Sequence, residues 1–209
     1  IPIFLQISAA SSSRGASLSP AKQLTLIFSG SIPHSFVINS QLHESDSSFL
    51  KFSPDIEVIT NIEEEHMDHF RDIGDIEAAY RGFINRLTPG GEWFGCSEDS
   101  RVLGLANEKI RSSALYGFDP VLSLVSASDI VECPNGQRSV VFKAWHRGVI
   151  LGTVEMKIIG RHNVLNALAA IGVGLRLGIP FAVIQRALGR YEGAGRRFDV
   201  KYEDQRFLI

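Results

Sequence analysis

The chain has 209 residues, of which 44% are hydrophobic, and a formal net charge of −2. This composition is enough for the core of one large domain or two small ones, and the small charge argues against a nucleic-acid-binding or anionic-membrane surface. The longest apolar runs fall short of the roughly 18 residues that a membrane-spanning helix needs.

The two cysteines and the first residues of the chain indicate in which cellular compartment the protein is expected. Cys96 and Cys133 lie far apart without a CxxC pattern, which favours a reducing compartment over a disulfide framework. The opening stretch IPIFLQISAASSS has no Met and no basic region before its apolar residues, so we predict no signal peptide. We therefore expect a globular protein of the cytoplasm.

The first 43 residues differ in composition from the rest of the chain. All 23 acidic residues lie from Glu44 onward, and Arg14 and Lys22 are the only charged residues before it. Protein surfaces usually mix both signs of charge. This serine-rich stretch therefore predicts either a flexible leader or a segment foreign to the rest, such as the product of a shifted reading frame or a misplaced gene start.

Strand and helix signals alternate after this stretch. IEVIT (56–60) predicts a short buried strand. Apolar residues at i, i+3, i+4 spacing from Ile76 to Leu87 predict a helix with Asp75 as its N-cap, which TPGG ends. EWFGC predicts the next strand of a β-α-β unit, and DSRVLGLANEKI with SALYGF repeats the pattern.

Longer strand signals follow, and then helices. VLSLVSASDIVEC, SVVFKAW and GVILGTVEMKIIG predict an antiparallel meander. A helix beginning near Arg161 ends at Gly178 and Pro180, and Pro180 opens a second helix before a final strand. The predicted class is α/β, with a mostly parallel Rossmann-like or P-loop-type sheet flanked by helices and an antiparallel strand portion.

An acidic and histidine-containing run, NIEEEHMDH (61–69), follows the first predicted strand. Open α/β sheets bind ligands at the carboxyl ends of their strands, and carboxylates with imidazoles such as His66 and His69 suit Mg²⁺ or Mn²⁺. The run equally fits an acid-enriched helix start. A zinc hydrolase is a further alternative, although HxxH has no third ligand here at a recognisable spacing.

Two later motifs carry groups that suit a nucleotide. Asn163 and Asn166 follow His162 in GRHNVLNALAA, and an amide offers both the donor and the acceptor that the edge of a purine needs; the alternative is that Asn163 only caps the helix. Arg196 and Arg197 in GAGRRF suit phosphates, although a solvated loop pair is the commoner role of two adjacent arginines. The sequence has no GxxxxGK[ST] phosphate loop.

From about His43 to Ile209 the chain resembles the Mur ligase family, whose central ATP-binding domain carries ESDSSFL, VITNIEEEHMDHF, GRHNVLNALAAI and YEGAGRRFD in this order. Within the family it is most similar to the branch that adds L-alanine to UDP-N-acetylmuramate. The His-Met-Asp sequence favours that branch over the murein-peptide-recycling branch. The resemblance implies that residues 44–209 are the central domain, incomplete at its N-terminal side and ending before the C-terminal domain, and that residues 1–43 are not family-like.

The resemblance also implies an ATP-dependent amide ligase that proceeds through an acyl phosphate, with Mg²⁺ offsetting the negative charge. Its substrates would be UDP-N-acetylmuramate and L-alanine. Glu65 stands where the family usually has Asp before the metal-associated histidine. The site residues implied by motif position are His66, Glu65 and Glu44 at the metal, His162, Asn163 and Asn166 at the adenine, and Arg196 and Arg197 at the phosphates.

Two features of the family are missing from the sequence. The GTxGKTT phosphate loop is absent, and Gln41 in QLHESD takes the place of the metal-binding carboxylate in the family's EADESD stretch. We therefore expect little or no ligase activity from this chain alone. One alternative is a catalytically silent nucleotide-binding remnant; another, a small metal-dependent hydrolase, is disfavoured by the ordered Asn and Arg motifs.

Overall fold

A computed structural model describes residue 50 and residues 53–64, 70–136 and 138–191. These residues form a six-stranded sheet whose spatial order is the order of the strands in the chain. The strands are β1 (Ile56–Ile59), β2 (Glu92–Cys96), β3 (Ser113–Gly117), β4 (Val125–Glu132), β5 (Val140–His146) and β6 (Val149–Met156). β1 to β4 pair in parallel, whereas β4 with β5 and β5 with β6 pair antiparallel. The predicted α/β class with an antiparallel portion is confirmed.

Four α-helices accompany the sheet in the described part of the chain: α1 (Ile73–Ile84), α2 (Ser100–Asn107), α3 (Arg161–Arg176) and α4 (Phe181–Arg190). A short 3-10 turn at Pro134–Gly136 joins β4 to β5. None of the described helices combines the length and apolar character needed to span a bilayer.

The parallel strands are buried on both faces. Side chains alternate between the two faces of a strand, and neighbouring residues of β1 and β2 accordingly enter different apolar clusters. Val58 and Phe94 belong to the cluster that contains the buried residues of α3 and α4. Ile59 and Trp93 belong to the cluster that contains those of α1 and α2. The sheet therefore lies between two helical layers, as parallel sheets usually do.

One ionisable residue is buried in β1. Glu57 has 0% of its surface exposed, and its register with Trp93 directs it toward the α1 and α2 layer. Neither carboxyl oxygen has a hydrogen-bond partner in the part of the chain that the structure describes. Burial raises the pKa of Glu57 to about 9, so the side chain carries a proton at neutral pH.

Helix α1 begins earlier than the sequence predicted. Its N-cap is Asp72, whose Oδ1 accepts a hydrogen bond from the Asp75 backbone N–H at 3.0 Å. The prediction that Asp75 is the N-cap was therefore wrong. Asp75 lies in the first helical turn, where a carboxylate suits the positive end of the helix dipole, and it accepts hydrogen bonds from the Arg71 guanidinium at 2.7 and 2.8 Å.

Strand β4 begins later than predicted. The predicted strand started at Val121, but residues 121–124 form a loop in which Val121 is 90% exposed. Asp119 accounts for the difference because it turns the chain. Its side chain accepts from the Val121 N–H at 2.8 Å, and its carbonyl accepts from the Ser123 N–H at 3.0 Å.

Helix α3 is packed closely against the sheet. It is buried over most of its length. A Cβ added to Gly172 would lie 2.9 Å from Cε1 of Phe94 and 3.5 Å from Cγ2 of Val125, and one added to Gly174 would lie 2.6 Å from Cδ1 of Ile184 in α4. The missing side chains therefore allow the α3 backbone to approach both the sheet and α4.

Candidate functional site

The carboxyl ends of the parallel strands lie along one side of the sheet, and the N-terminal end of α3 lies beside the carboxyl end of β3. β3 ends at Gly117, and the guanidinium carbon of Arg161, the first residue of α3, lies 4.2 Å from the centre of the Phe118 ring. Open α/β sheets bind ligands at the carboxyl ends of their strands. Helix α3, which carries Asn163 and Asn166, and the acidic run after β1 therefore both begin at the carboxyl ends of the strands.

The first residues of the acidic run are anchored by the start of α2. Asp99 caps this helix, with Oδ1 accepting from the backbone N–H groups of Arg101 and Val102 at 3.0 and 2.9 Å. Its Oδ2 accepts from the Ile62 N–H at 3.3 Å, and the Arg101 guanidinium donates to the Ile62 carbonyl at 3.4 Å. Both backbone groups of Ile62 are therefore tied to α2, immediately before the exposed side chains of Glu63 and Glu64.

Substituting Asp99 by alanine is expected to lower the free energy of unfolding by about 1 kcal/mol, because the helix loses its N-cap. Asp99→Asn keeps an acceptor oxygen and should lose distinctly less. Urea denaturation of both variants measures the difference. Equal losses would show that the charge of Asp99, rather than its capping oxygen, is what stabilises this junction.

A polar cluster surrounds the carboxyl end of β3. The Ser97 hydroxyl donates to the Tyr116 carbonyl at 3.2 Å and lies 2.9 Å from the Ser123 hydroxyl. Glu98 Oε1 accepts from the Phe118 N–H at 2.8 Å. A Cβ on Gly117 would collide with the Ser97 hydroxyl oxygen. This cluster was not predicted from the sequence, although polar residues directly after two predicted strands were a signal for it.

Asn163 does not cap α3. The N-cap residue is Gly160, which has a φ of 108° and makes no side-chain capping hydrogen bond. Asn163 is the third helical residue, and its Nδ2 donates to the Ile159 carbonyl at 2.6 Å. The alternative in which Asn163 is only a helix cap was therefore wrong, because its amide binds a carbonyl that precedes the helix.

Asn166 lies one turn further along the same face of α3. It is only 9% exposed, and no hydrogen bond of its amide is found among the described residues. The amide of Asn166 offers both a donor and an acceptor to any ligand that reaches it.

His162 lies between Arg161 and the two asparagines in the sequence. Its imidazole covers Gly160, since a Cβ on that glycine would lie 2.6 Å from Cε1 and 2.9 Å from Nδ1 of His162. Desolvation is the main cause that lowers the pKa of His162 below its usual value. The ring is therefore mostly neutral at pH 7.

The structure places part of the predicted site. His162, Asn163 and Asn166 lie together at the start of α3. The other predicted site residues lie outside the described residues: Glu44, Glu65, His66, Arg196 and Arg197. Gln41 lies outside them as well. Within the described ranges, no group of three or more His, Cys, Asp or Glu side chains is arranged to hold a metal ion, and the magnesium site stays a prediction.

Comparison with protein families gives a match over most of the chain. The family model described as the Mur ligase middle domain matches residues 37–174. The UDP-N-acetylmuramate–L-alanine ligase of Brachyspira hyodysenteriae is 38% identical over 164 residues, which are 78% of this chain and 35% of that protein. The ligase of the same name from Oleidesulfovibrio alaskensis is 40% identical over 170 residues, or 81% of this chain and 36% of that protein. The chain spans about a third of the length of these relatives.

A solved structure of similar fold is the UDP-N-acetylmuramate–alanine ligase of Thermotoga maritima. It aligns with a TM-score of 0.64 at 23% identity and covers 78% of this chain and 35% of that one. At this identity the likeness concerns the fold alone. It supports the architecture predicted from the sequence.

Proposed function

The chain belongs to the Mur ligase family, and we propose that it is the ATP-binding part of a ligase that adds L-alanine to UDP-N-acetylmuramate. The names of the relatives that are 38% and 40% identical favour this branch over the murein-peptide-recycling branch. In this proposal residues 44–209 belong to the central domain and residues 1–43 diverge from it. The proposed compartment is the cytoplasm.

In the proposed reaction, the γ-phosphoryl group of ATP passes to the carboxylate of UDP-N-acetylmuramate, which gives ADP and an acyl phosphate. The amine of L-alanine then attacks the acyl carbon, so that the amide forms and inorganic phosphate leaves. Mg²⁺ would offset the charge of the phosphates. We assign His66 and Glu44 to the metal, Glu65 beside them, and Arg196 and Arg197 to the phosphates, by motif position.

The described residues support the adenine side of this proposal. The observation that carries it is the Asn166 side chain, which belongs to a residue only 9% exposed, makes no hydrogen bond to another described residue and shares a helix face with Asn163. An amide presents a donor and an acceptor together, and adenine presents the complementary pair on its N6 and N7 edge. The neutral imidazole of His162 adds no charge beside a neutral base.

Titration of the isotope-labelled chain with ATP and with GTP tests the assignment. We expect ATP to shift the side-chain amide signals of Asn163 and Asn166 more than GTP does, since guanine carries an acceptor where adenine carries its amino group. Asn166→Ala should weaken the response to ATP. Asn107→Ala, at an exposed position at the end of α2, is the matched control. Equal responses to ATP and GTP would count against an adenine site.

ATP affinity is expected to be low, with a Kd of about 1 mM or weaker, which corresponds to about −4 kcal/mol. The reason is that the sequence lacks the loop whose backbone amides and lysine hold a triphosphate. For the same reason we expect no ATP turnover by the 209-residue chain in the presence of UDP-N-acetylmuramate and L-alanine. Calorimetry that gave low-micromolar binding would contradict the first expectation, and substrate-dependent turnover the second.

A further inference from the structure

We propose that two neighbouring segments beside the start of β4 form an interface through which a second copy of this chain binds. Its apolar part consists of Val121 and Leu122, which precede β4, and of Val149 and Ile150, which begin β6. We call these four residues the hairpin patch. The inference is independent of the proposed nucleotide site, and its outcome leaves that proposal unchanged.

The hairpin patch comes from two segments that lie side by side. The Arg147 N–H donates to the Leu124 carbonyl at 2.8 Å, and Val125 is opposite His146 in the pairing of β4 with β5. Arg147 and Gly148 have positive φ values of 52° and 74°, as a two-residue turn between antiparallel strands requires. This turn therefore holds the start of β6 beside the segment that leads into β4.

The exposed apolar side chains are concentrated at this place. Single exposed apolar side chains are normal on a soluble protein. Here, however, four of the seven large apolar side chains that are exposed in the described part of the chain belong to the hairpin patch. Val121 is 90% exposed and Val149 66%. Packing within one copy gives these side chains little cover, whereas a bound partner would remove their apolar surface from water.

The two segments are complementary to each other, and this favours a second copy as the partner. Residues 119–122 are Asp-Pro-Val-Leu and residues 147–150 are Arg-Gly-Val-Ile, and all of them are exposed. Each segment has one charged residue, of opposite sign, followed by a turn residue and two apolar residues. In a two-fold dimer each segment meets the other segment of the second copy. Asp119 would then face Arg147 of the second copy, twice in the dimer, with the apolar residues packed between these ion pairs.

The size of the surface limits the strength of the dimer. A stable interface usually buries about 800 Å² on each partner, with roughly 20–30 residues a side. Segments 119–122 and 147–150 supply only a fraction of that number. We therefore expect a reversible dimer with a Kd of about 10–100 µM, weaker than interfaces of standard size.

Sedimentation velocity of the full 209-residue chain over a range of about 5 to 500 µM tests the inference, since this range brackets the expected Kd. Val121→Ser is expected to weaken the dimer by at least about 5-fold, because it removes an apolar contact from the centre of the interface. Arg147→Glu should weaken it by a similar factor, because it places like charges opposite each other. The matched controls are Val183→Ser and Arg186→Glu, both at exposed positions in α4, and neither should change the Kd.

Each other outcome overturns the inference. A chain that stays monomeric at the highest concentration would leave the hairpin patch to a different polypeptide. A dimer that neither Val121→Ser nor Arg147→Glu weakens would form through another surface. Equal weakening by Val183→Ser would indicate non-specific association of apolar side chains. Circular dichroism checks folding, and Val149→Thr, which keeps a β-branched side chain in β6, replaces Val121→Ser if that variant does not fold.

Discussion

Glu57→Met is expected to raise the free energy of unfolding by about 3 kcal/mol at pH 7. The carboxyl group has a pKa of about 9 in the folded chain, compared with an ordinary value of 4.5. The folded state therefore binds a proton that the unfolded state has released at pH 7. The resulting stability is fully present below pH 4.5, declines as the pH rises through the window between these two values, and is lost above it. Methionine is apolar and removes this dependence.

Urea denaturation between about pH 5 and pH 8.5 measures the effect. Glu57→Gln cannot ionise and should flatten the pH dependence in the same way. Glu155→Gln is the matched control, because Glu155 is an exposed glutamate in β6, and it should leave the pH dependence of the unmodified chain in place. If Glu57→Met instead lowered stability at pH 7, the carboxylate would have a cationic partner beyond the described residues.

Gly172→Ala is expected to lower the free energy of unfolding by about 2 kcal/mol, which is typical of an overpacked core. The new methyl group would lie 2.9 and 3.0 Å from two ring carbons of Phe94. Phe94 is only 1% exposed, so its ring cannot relieve the contact by turning out into solvent. Relief by a shift of α3 would displace Asn163 and Asn166, and we therefore also expect a weaker response to ATP.

The control for this substitution is Gly104→Ala in α2, where nothing lies within 4 Å of an added Cβ. That change should raise stability by about 0.5–1 kcal/mol through helix propensity alone. Phe94→Leu in the Gly172→Ala background tests the contact directly, since the smaller side chain should recover part of the loss. Equal effects of alanine at both glycines would show that close packing of α3 against β2 is not what requires Gly172.

The secondary structure was largely predictable because its signals are local. Buried strands of four to six apolar residues and helices with i, i+3, i+4 spacing are visible in a short window. One error concerns a choice between two similar residues. Asp72 and Asp75 are both good caps, and the pairing of Asp75 with Arg71 assigns the cap to Asp72. The burial of Glu57 was missed because IEVIT was interpreted from its β-branched residues, without regard to the glutamate.

Positions in the candidate site were predictable only where the residues belong to one local sequence motif. Asn163 and Asn166 belong to one helical segment, so their position on one face of α3 was predictable from their spacing. Ser97 with Ser123, and Glu98 with Phe118, are 26 and 20 residues apart in the chain. Their contacts depend on strand order, which no local pattern contains. The contact between Arg161 and Phe118 was not predicted for the same reason, since the two residues lie on different elements.

The order of the sheet has a consequence for how the chain is made. Each described strand after β1 neighbours the strand synthesised just before it, so this part of the sheet is able to assemble as the polypeptide emerges from the ribosome. Among the described helices, α3 and α4 cover the face that contains Phe94 and Val125, and both follow the last strand in the chain. A nascent chain that ends before α3 therefore lacks this cover, and exposed apolar surface of this kind makes folding intermediates prone to aggregation.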